Sequence, residues 1–330
     1  MRSRVSRVLA VTGAAAAGAA ALAHSAYRKD LRAALRRIET GRAILELAQN
    51  PIEYGEAQSG PPVLVVHGAG GGFDQGLDVG RALLGDGYRI VAPSRFGYLG
   101  TPMPADASPE AQAEAHVRLL DALKIERAAA IGISAGAPSA MQFSLRHPER
   151  CSALVLVVPM AWAPRPAPVT PPSRLFAIVL EAIASSDFLY WAAMKAARPI
   201  LLETILATPA HEYRSATMED RREVDRILAG VLPMSRRAAG IHNDSVISST
   251  LPRYPLEEIH APTLVLSAAN DLYGTYDSGL YTAEQIHRGK FIGFHTGGHL
   301  LVGHSAAVRT QITNFLAECL AAEPQPAMAG

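Results

Sequence analysis

Only two cysteines, Cys151 and Cys319, occur in 330 residues. They are far apart and make neither a metal-ligand spacing nor a redox pair, and the sequence leaves open whether they bond to each other. A charge imbalance is missing too: 31 Lys and Arg stand against 30 Asp and Glu, a formal net charge of +1. Without a basic excess there is no electrostatic footprint for nucleic acid, and no such partner is expected. No self-similarity appears at solenoid or propeller periods. The glycine-rich stretch at 67–72 lacks the Gly-Lys-Ser/Thr ending of a P-loop and the spacing of a dinucleotide fingerprint, which argues against a bound phosphate there. What remains is a chain 49% hydrophobic, able to bury one large core with an insertion, or two small ones.

One long run without Lys, Arg, Asp or Glu does occur. Val8–Tyr27 carries no Lys, Arg, Asp or Glu and follows Arg2, Arg4 and Arg7. Residues 1–27 are expected to be an export signal, with Ala21-Leu22-Ala23 as a small-x-small cleavage site, or an uncleaved membrane anchor. The alternative is an Ala-rich helix with no membrane role. Arg28, Lys29, Arg32, Arg36 and Arg37 follow in a basic linker helix, 28–42, whose core is Asp30–Glu39. This helix either rests on anionic headgroups or presents a solvated face. Basic residues on both sides leave the orientation open. The segment is expected to lie outside the catalytic fold, with the protein anchored or exported.

From residue 43 the pattern alternates. Val63–Val66 is a β-branched run of the kind buried on both faces of a sheet, and it ends in His67-Gly68-Ala69-Gly70-Gly71-Gly72. Leu77–Leu84 reads as a helix and Tyr88–Ala92 as a strand. Ser108 is placed as an N-cap before Pro109, opening a helix to Leu123. Ala128–Ile131 leads into Gly132-Ile133-Ser134-Ala135-Gly136, then a helix over Ala137–His147, then a strand over Ala153–Val158. Strands alternating with helices imply a parallel, doubly wound sheet whose ligands sit at the carboxyl ends of the strands.

After Pro159 the alternation stops. Residues 160–258 are expected to form a helical cap inserted between two halves of the core, 43–159 and 259–322. Helices are placed at Ser173–Ala184, Asp187–Ala197, Ile200–Ala207 and Asp220–Leu228. The apolar residues Leu175, Phe176, Phe188, Leu189, Tyr190, Trp191 and Met194 either line an apolar pocket or form the core of an ordinary helical domain. Strands return at Thr263–Ala268 and Phe291–His295, with helices at Ser278–His287 and His304–Leu320. The tail 323–330 is expected to fray.

Gly-x-Ser-x-Gly between a strand and a helix is the arrangement of a nucleophile elbow. A serine hydroxyl is a weak nucleophile unless it is held out of the strand facing a base. That requires a strained turn, and strand and helix pass so closely that only glycine is expected at 132 and 136. Ser134 is therefore the candidate nucleophile. Histidine can take and return its proton near neutral pH, and a carboxylate fixes the histidine's tautomer. Asp271, at the end of one strand, and His299, in a Gly-Gly-His turn after the next, supply them in the order Ser, Asp, His. The rivals are Asp277 and Asp187 for the acid, and His295 and His304 for the base. The backbone N–H groups of Ala69 and Ala135 are the candidate oxyanion donors. Gly68 and Gly70 shape the first loop, and His67 is expected to brace it by hydrogen bonding.

Taken together, these motifs resemble the α/β-hydrolase superfamily, in the branch of single-chain serine hydrolases with a helical cap. The resemblance rests on His67-Gly68-Ala69-Gly70-Gly71, Ser94-Arg95-Phe96-Gly97-Tyr98, the Ser134 pentapeptide, Arg146-His147-Pro148, Asn270-Asp271 and Gly298-His299. It implies an eight-stranded, mostly parallel sheet with helices on both faces, and acyl-transfer chemistry without metal or organic cofactor. The leading expectation is a carboxylic-ester hydrolase for a small apolar substrate. Carbon–carbon bond hydrolysis by the same residues is the second, and a non-catalytic ligand-binding protein the third. Oligomeric state and natural substrate stay open.

Overall fold

The computed structural model describes residues 2–47, 50–164 and 181–321. Among the described residues eight strands form one sheet: β1 (Arg42–Leu45), β2 (Ile52–Ala57), β3 (Pro62–Val66), β4 (Arg89–Pro93), β5 (Ala128–Ile133), β6 (Cys151–Val157), β7 (Thr263–Ala268) and β8 (Gly289–Phe294). Their spatial order is β1-β2-β4-β3-β5-β6-β7-β8. The pairs β1–β2 and β2–β4 are antiparallel, and all later pairs are parallel. The parallel strands are the continuous apolar runs: Leu64, Val65 and Val66 are wholly buried, as are Leu154, Val155 and Leu156. Each such side chain contributes about 1.5–3 kcal/mol by leaving water.

Helices cover both faces. The second helix, Phe73–Leu84, and the last, Ser305–Ala321, pack on one side. Helices Pro109–Ala122, Ala137–Arg146 and Thr275–Gln285 pack on the other. Ser108 caps Pro109–Ala122 by accepting from the Ala111 N–H at 3.1 Å, as its position before proline predicts. The chain moves from β3 outward to β4 and then back across β3 to β5. This reversal opens a crevice at the carboxyl ends of β3 and β5, where the glycine-rich loop and the Ser134 turn lie side by side.

Between β6 and β7 the described chain is helical: Asp187–Ala196, Arg198–Thr204, Ala210–Ser215, Met218–Gly230 and Ala238–Thr250. The expected helices at 187, 200 and 220 are present with shifted ends. Two were not anticipated, because Ala210–Ser215 is too short, and Ala238–Thr250 too weakly periodic, to stand out from sequence. The first part of the expected helix Ser173–Ala184 lies outside the described residues. Tyr190, Trp191 and Met194 turn into a cluster of the insertion's own, with Leu201, Leu202, Val224 and Leu228. All three are buried there.

The N-terminal segment is one helix, Arg2–Glu39. Among the described residues no helix is long and apolar enough to cross a membrane. Contrary to the expectation that this segment stands apart, its second half is built into the fold. Ala34 is buried in the insertion's core. Asp30 accepts from Trp191 Nε1 at 2.9 Å and pairs with Lys195 at 3.1 Å. Arg37 reaches Asp74 at 3.2 Å and the Gly230 carbonyl at 2.8 Å. Such contacts lie 37 to 193 positions away in the chain and leave no local signal. No disulfide forms among the described residues, and Cys151 is buried.

Candidate active site

The turn after β5 places Ser134 at φ 50°, a left-handed conformation that a serine adopts only under constraint. The constraint is steric. A Cβ at position 132 would stand 2.7 Å from Ala140 Cβ, and one at position 136 would stand 2.4 Å from the Val66 carbonyl oxygen. Only glycine lets strand and helix approach this closely.

Ser134 Oγ lies 2.8 Å from His299 Nε2, and His299 Nδ1 lies 2.7 Å from Asp271 Oδ2. The three side chains come from the ends of β5, β7 and β8. Asp271 is withdrawn from solvent, with its side chain fully covered, while His299 keeps 9% exposure. Its carboxylate is held by the Tyr273 N–H at 2.8 Å and by the Thr275 hydroxyl, which is itself 2.8 Å from Ser267 Oγ. The Tyr273 ring meets the His299 imidazole edge to face at 5.0 Å. An ordered carboxylate on Nδ1 leaves Nε2 as the acceptor facing the serine, which is what proton abstraction needs.

The competing residues are elsewhere. Asp277 is exposed in the first turn of helix Thr275–Gln285, and Asp187 accepts from the Ser235 backbone and hydroxyl at 2.8 and 2.9 Å. His295 is exposed just past β8, and His304 packs on the Phe294 ring.

The glycine-rich loop lies against the turn: a Cβ at position 68 would be 3.3 Å from Ser134 Cβ. Ala69 is exposed beside it, and its N–H donates to no acceptor among the described residues. Ala135 is buried where the helical stretch after the serine begins. Two backbone donors thus flank the serine from the β3 and β5 loops. His67 braces the loop. Its Nδ1 donates to the Gly68 carbonyl at 2.7 Å and its Nε2 accepts from the Arg95 N–H at 2.9 Å. Burial, aided by the adjacent Arg95 guanidinium, drives the His67 pKa well below the ordinary histidine range, so the ring is neutral and is unsuited to act as a base. Gly70 has φ 71° and faces Val231 of the insertion.

Sequence reasoning gave Arg237, Asp244 and the stretch 205–212 of the insertion no part in the site, yet these segments hold the site's loops. On the side of the glycine-rich loop, Arg237 donates to the Gly71 carbonyl and pairs with Asp74 at 2.8 Å. Asp244 holds Arg95 through two bonds of 2.6 and 2.7 Å and accepts from the Tyr98 hydroxyl. Burial alone would raise the Asp74 pKa, but Arg237 and Arg37 hold it below the usual carboxylate value. On the other side, the stretch 205–212 touches the loops of Asp271 and His299. Among the described residues no group of three or more His, Cys, Asp or Glu is arranged to hold a metal.

A family model described as alpha/beta hydrolase fold matches residues 61–303. The solved structure of an alpha/beta hydrolase fold protein from Nakamurella multipartita superposes with TM-score 0.70 at 28% identity, covering 83% of this chain and 98% of that one. An uncharacterized hydrolase of Bacillus subtilis is 36% identical over 121 residues, 37% of this chain and 41% of the relative. A 2-hydroxymuconate semialdehyde hydrolase of Pseudomonas is 33% identical over 106 residues, 31% of this chain and 38% of the relative. The chain thus spans less than half the length of these curated relatives.

Proposed function

Because the chain belongs to the alpha/beta hydrolase fold family, we propose that it is a serine hydrolase acting on a small carboxylic ester through Ser134, His299 and Asp271. The observation that carries this reading is the unbroken chain of hydrogen bonds from Ser134 Oγ through His299 to Asp271, at 2.8 and 2.7 Å. In the first half-reaction Ser134 Oγ attacks the acyl carbon while His299 Nε2 takes the hydroxyl proton. The tetrahedral oxyanion is held by the N–H groups of Ala69 and Ala135, each donor lowering the barrier by about 3 kcal/mol. Collapse expels the alcohol, which leaves with the proton from His299. Water, deprotonated by the same imidazole, then releases the acid from the acyl-serine. Asp271 keeps the proton on Nδ1 in the resting state and stabilises the imidazolium as it forms.

A second reading is hydrolysis of a carbon–carbon bond in a vinylogous diketone. It is favoured by the partial likeness to a 2-hydroxymuconate semialdehyde hydrolase. The same three residues would carry it, with a carbanionic leaving group in place of an alkoxide.

Labelling with a fluorophosphonate probe, beside p-nitrophenyl esters of increasing chain length, tests the first reading. The expected result is a labelled parent and an unlabelled, folded Ser134→Ala. Equal labelling of the two would refute the assignment of Ser134. Turnover of a vinylogous diketone with negligible ester hydrolysis would favour the second reading.

A further inference from the structure

The short stretch of the insertion from Ile205 to Glu212 joins the acid loop to the base loop. The Ala207 carbonyl accepts from the Leu272 N–H at 2.9 Å and from the His299 N–H at 3.3 Å. Thr208 Oγ1 accepts from the Leu300 N–H at 3.2 Å. The Ile205 carbonyl accepts from the Tyr273 hydroxyl at 3.0 Å. Glu212 Oε1 accepts from Asn270 Nδ2 at 2.6 Å, and Asn270 Oδ1 accepts from the Gly298 N–H at 2.9 Å. Asn270 and Gly298 immediately precede Asp271 and His299.

These contacts are built and not incidental. Ala207 and Thr208 are wholly buried, and Glu212 is 9% exposed. Ala207 holds φ 42° without being glycine, a strained conformation that the surroundings must impose. Gly298, at φ 59°, passes so close that a Cβ there would stand 2.8 Å from Thr208 Cα. Glu212 also has His211 Nε2 at 3.5 Å, on the exposed side of the pair.

We infer that Glu212 and Asn270 are positioning residues: their hydrogen bond, with the Ala207 carbonyl, sets the His299 loop at the register in which the imidazole meets both Ser134 and Asp271. The inference rests on the serine-hydrolase reading of the triad. Neither residue reaches a reacting atom. Glu212 fixes the Asn270 amide, and the other end of that amide fixes the backbone one residue before His299. Reactions that depend on a base at about 3 Å lose rate steeply when the base is displaced.

The test compares Glu212→Ala and Glu212→Gln in the full chain. Glutamine keeps an oxygen for Asn270 Nδ2 and removes the negative charge beside His211, so it separates the hydrogen bond from charge. With a p-nitrophenyl ester turned over by the parent, Glu212→Ala is expected to lower kcat roughly ten- to hundredfold, with KM within about twofold. Fluorophosphonate labelling should proceed more slowly but reach the same final extent. Glu212→Gln is expected to stay within about threefold of the parent. The inference is overturned if Glu212→Ala keeps the parent's kcat, if its loss equals the loss of labelled Ser134, or if glutamine fails as alanine does. Should the parent neither turn over esters nor label, the serine-hydrolase reading fails first. The positioning claim is then decided by the far-downfield proton resonance of His299 Nδ1, assigned with His299→Ala. It should be present in the parent and Glu212→Gln and lost in Glu212→Ala; an unchanged resonance in Glu212→Ala overturns the claim.

Discussion

Arg237 is completely buried and its Nη2 lies 2.8 Å from Asp74 Oδ2, joining the helical insertion to the helix that follows the glycine-rich loop. Arg37, from the N-terminal helix, shares the same carboxylate from the half-exposed side at 3.2 Å. Three parts of the chain that are remote in sequence therefore meet at one acid, two residues beyond the loop that flanks Ser134.

Removing one partner of a buried pair leaves an uncompensated charge. Asp74→Ala should strand Arg237 and cost about 3–5 kcal/mol of unfolding free energy. Arg37→Ala should cost much less, since its side chain is 32% exposed and Arg237 still covers the acid. Urea denaturation of the two variants measures the difference; equal losses would refute the ranking.

The closest approach in the Ser134 turn makes a sharp contrast between two glycines. Gly136→Ala would put a methyl 2.4 Å from the Val66 carbonyl oxygen and 2.6 Å from that of His67, both backbone atoms unable to swing aside. A loss of about 1–3 kcal/mol or more is expected, together with displacement of Ser134 and loss of probe labelling. Gly230→Ala, with no atom within 4 Å, should be neutral or stabilise by about 0.4–1 kcal/mol. Thermal unfolding of both variants checks this.

His116 is buried beside Ser139 Oγ, 3.3 Å away, and burial, with Arg95 adding repulsion, pushes its pKa down to about 3. The unfolded chain binds this proton near pH 6.5, the folded chain only near 3. Between those values the unfolded state holds more protons, so stability is full above about pH 6.5 and falls as the pH drops. The slope from this one group approaches 1.4 kcal/mol per pH unit. Denaturant titrations from pH 7 to pH 4.5 should show a shallower slope in His116→Asn; parallel curves would contradict the assignment.

Asp271→Asn retains the shape of the acid but accepts the wrong imidazole tautomer. The expected outcome is a fall in kcat of about 10⁴-fold, with the variant folding normally, because the amide oxygen at the Oδ1 position still accepts from the Tyr273 N–H and the Thr275 hydroxyl can turn to accept from the amide nitrogen. Ester kinetics beside circular dichroism separate the two effects.

Much of this was legible because the signals are local. The Val63–Val66 run, the glycines at 132 and 136 and the Gly-Gly-His turn each encode a strand end or a tight approach within a few residues. Ser134, Asp271 and His299 could be singled out since each falls at such an end, in a fixed order. The apolar residues Tyr190, Trp191 and Met194 were ambiguous between pocket and core. Apolarity says that a side chain leaves water, not which surface covers it.

By itself the sequence determined the alternation of buried strands and helices, the strained serine turn, and the order of candidate nucleophile, acid and base, all of which follow from backbone sterics and hydrophobic periodicity over short spans. Only the tertiary structure decided what holds those parts in register. The Arg37–Asp74–Arg237 junction, the Asp244 clamp on Arg95 and the bridge from Glu212 through Asn270 to the His299 loop join residues 28 to 163 positions apart. A lone Arg, Asp or Glu in sequence looks the same whether it will be solvated or buried. Its partner, and hence its role, exists only once the chain has folded.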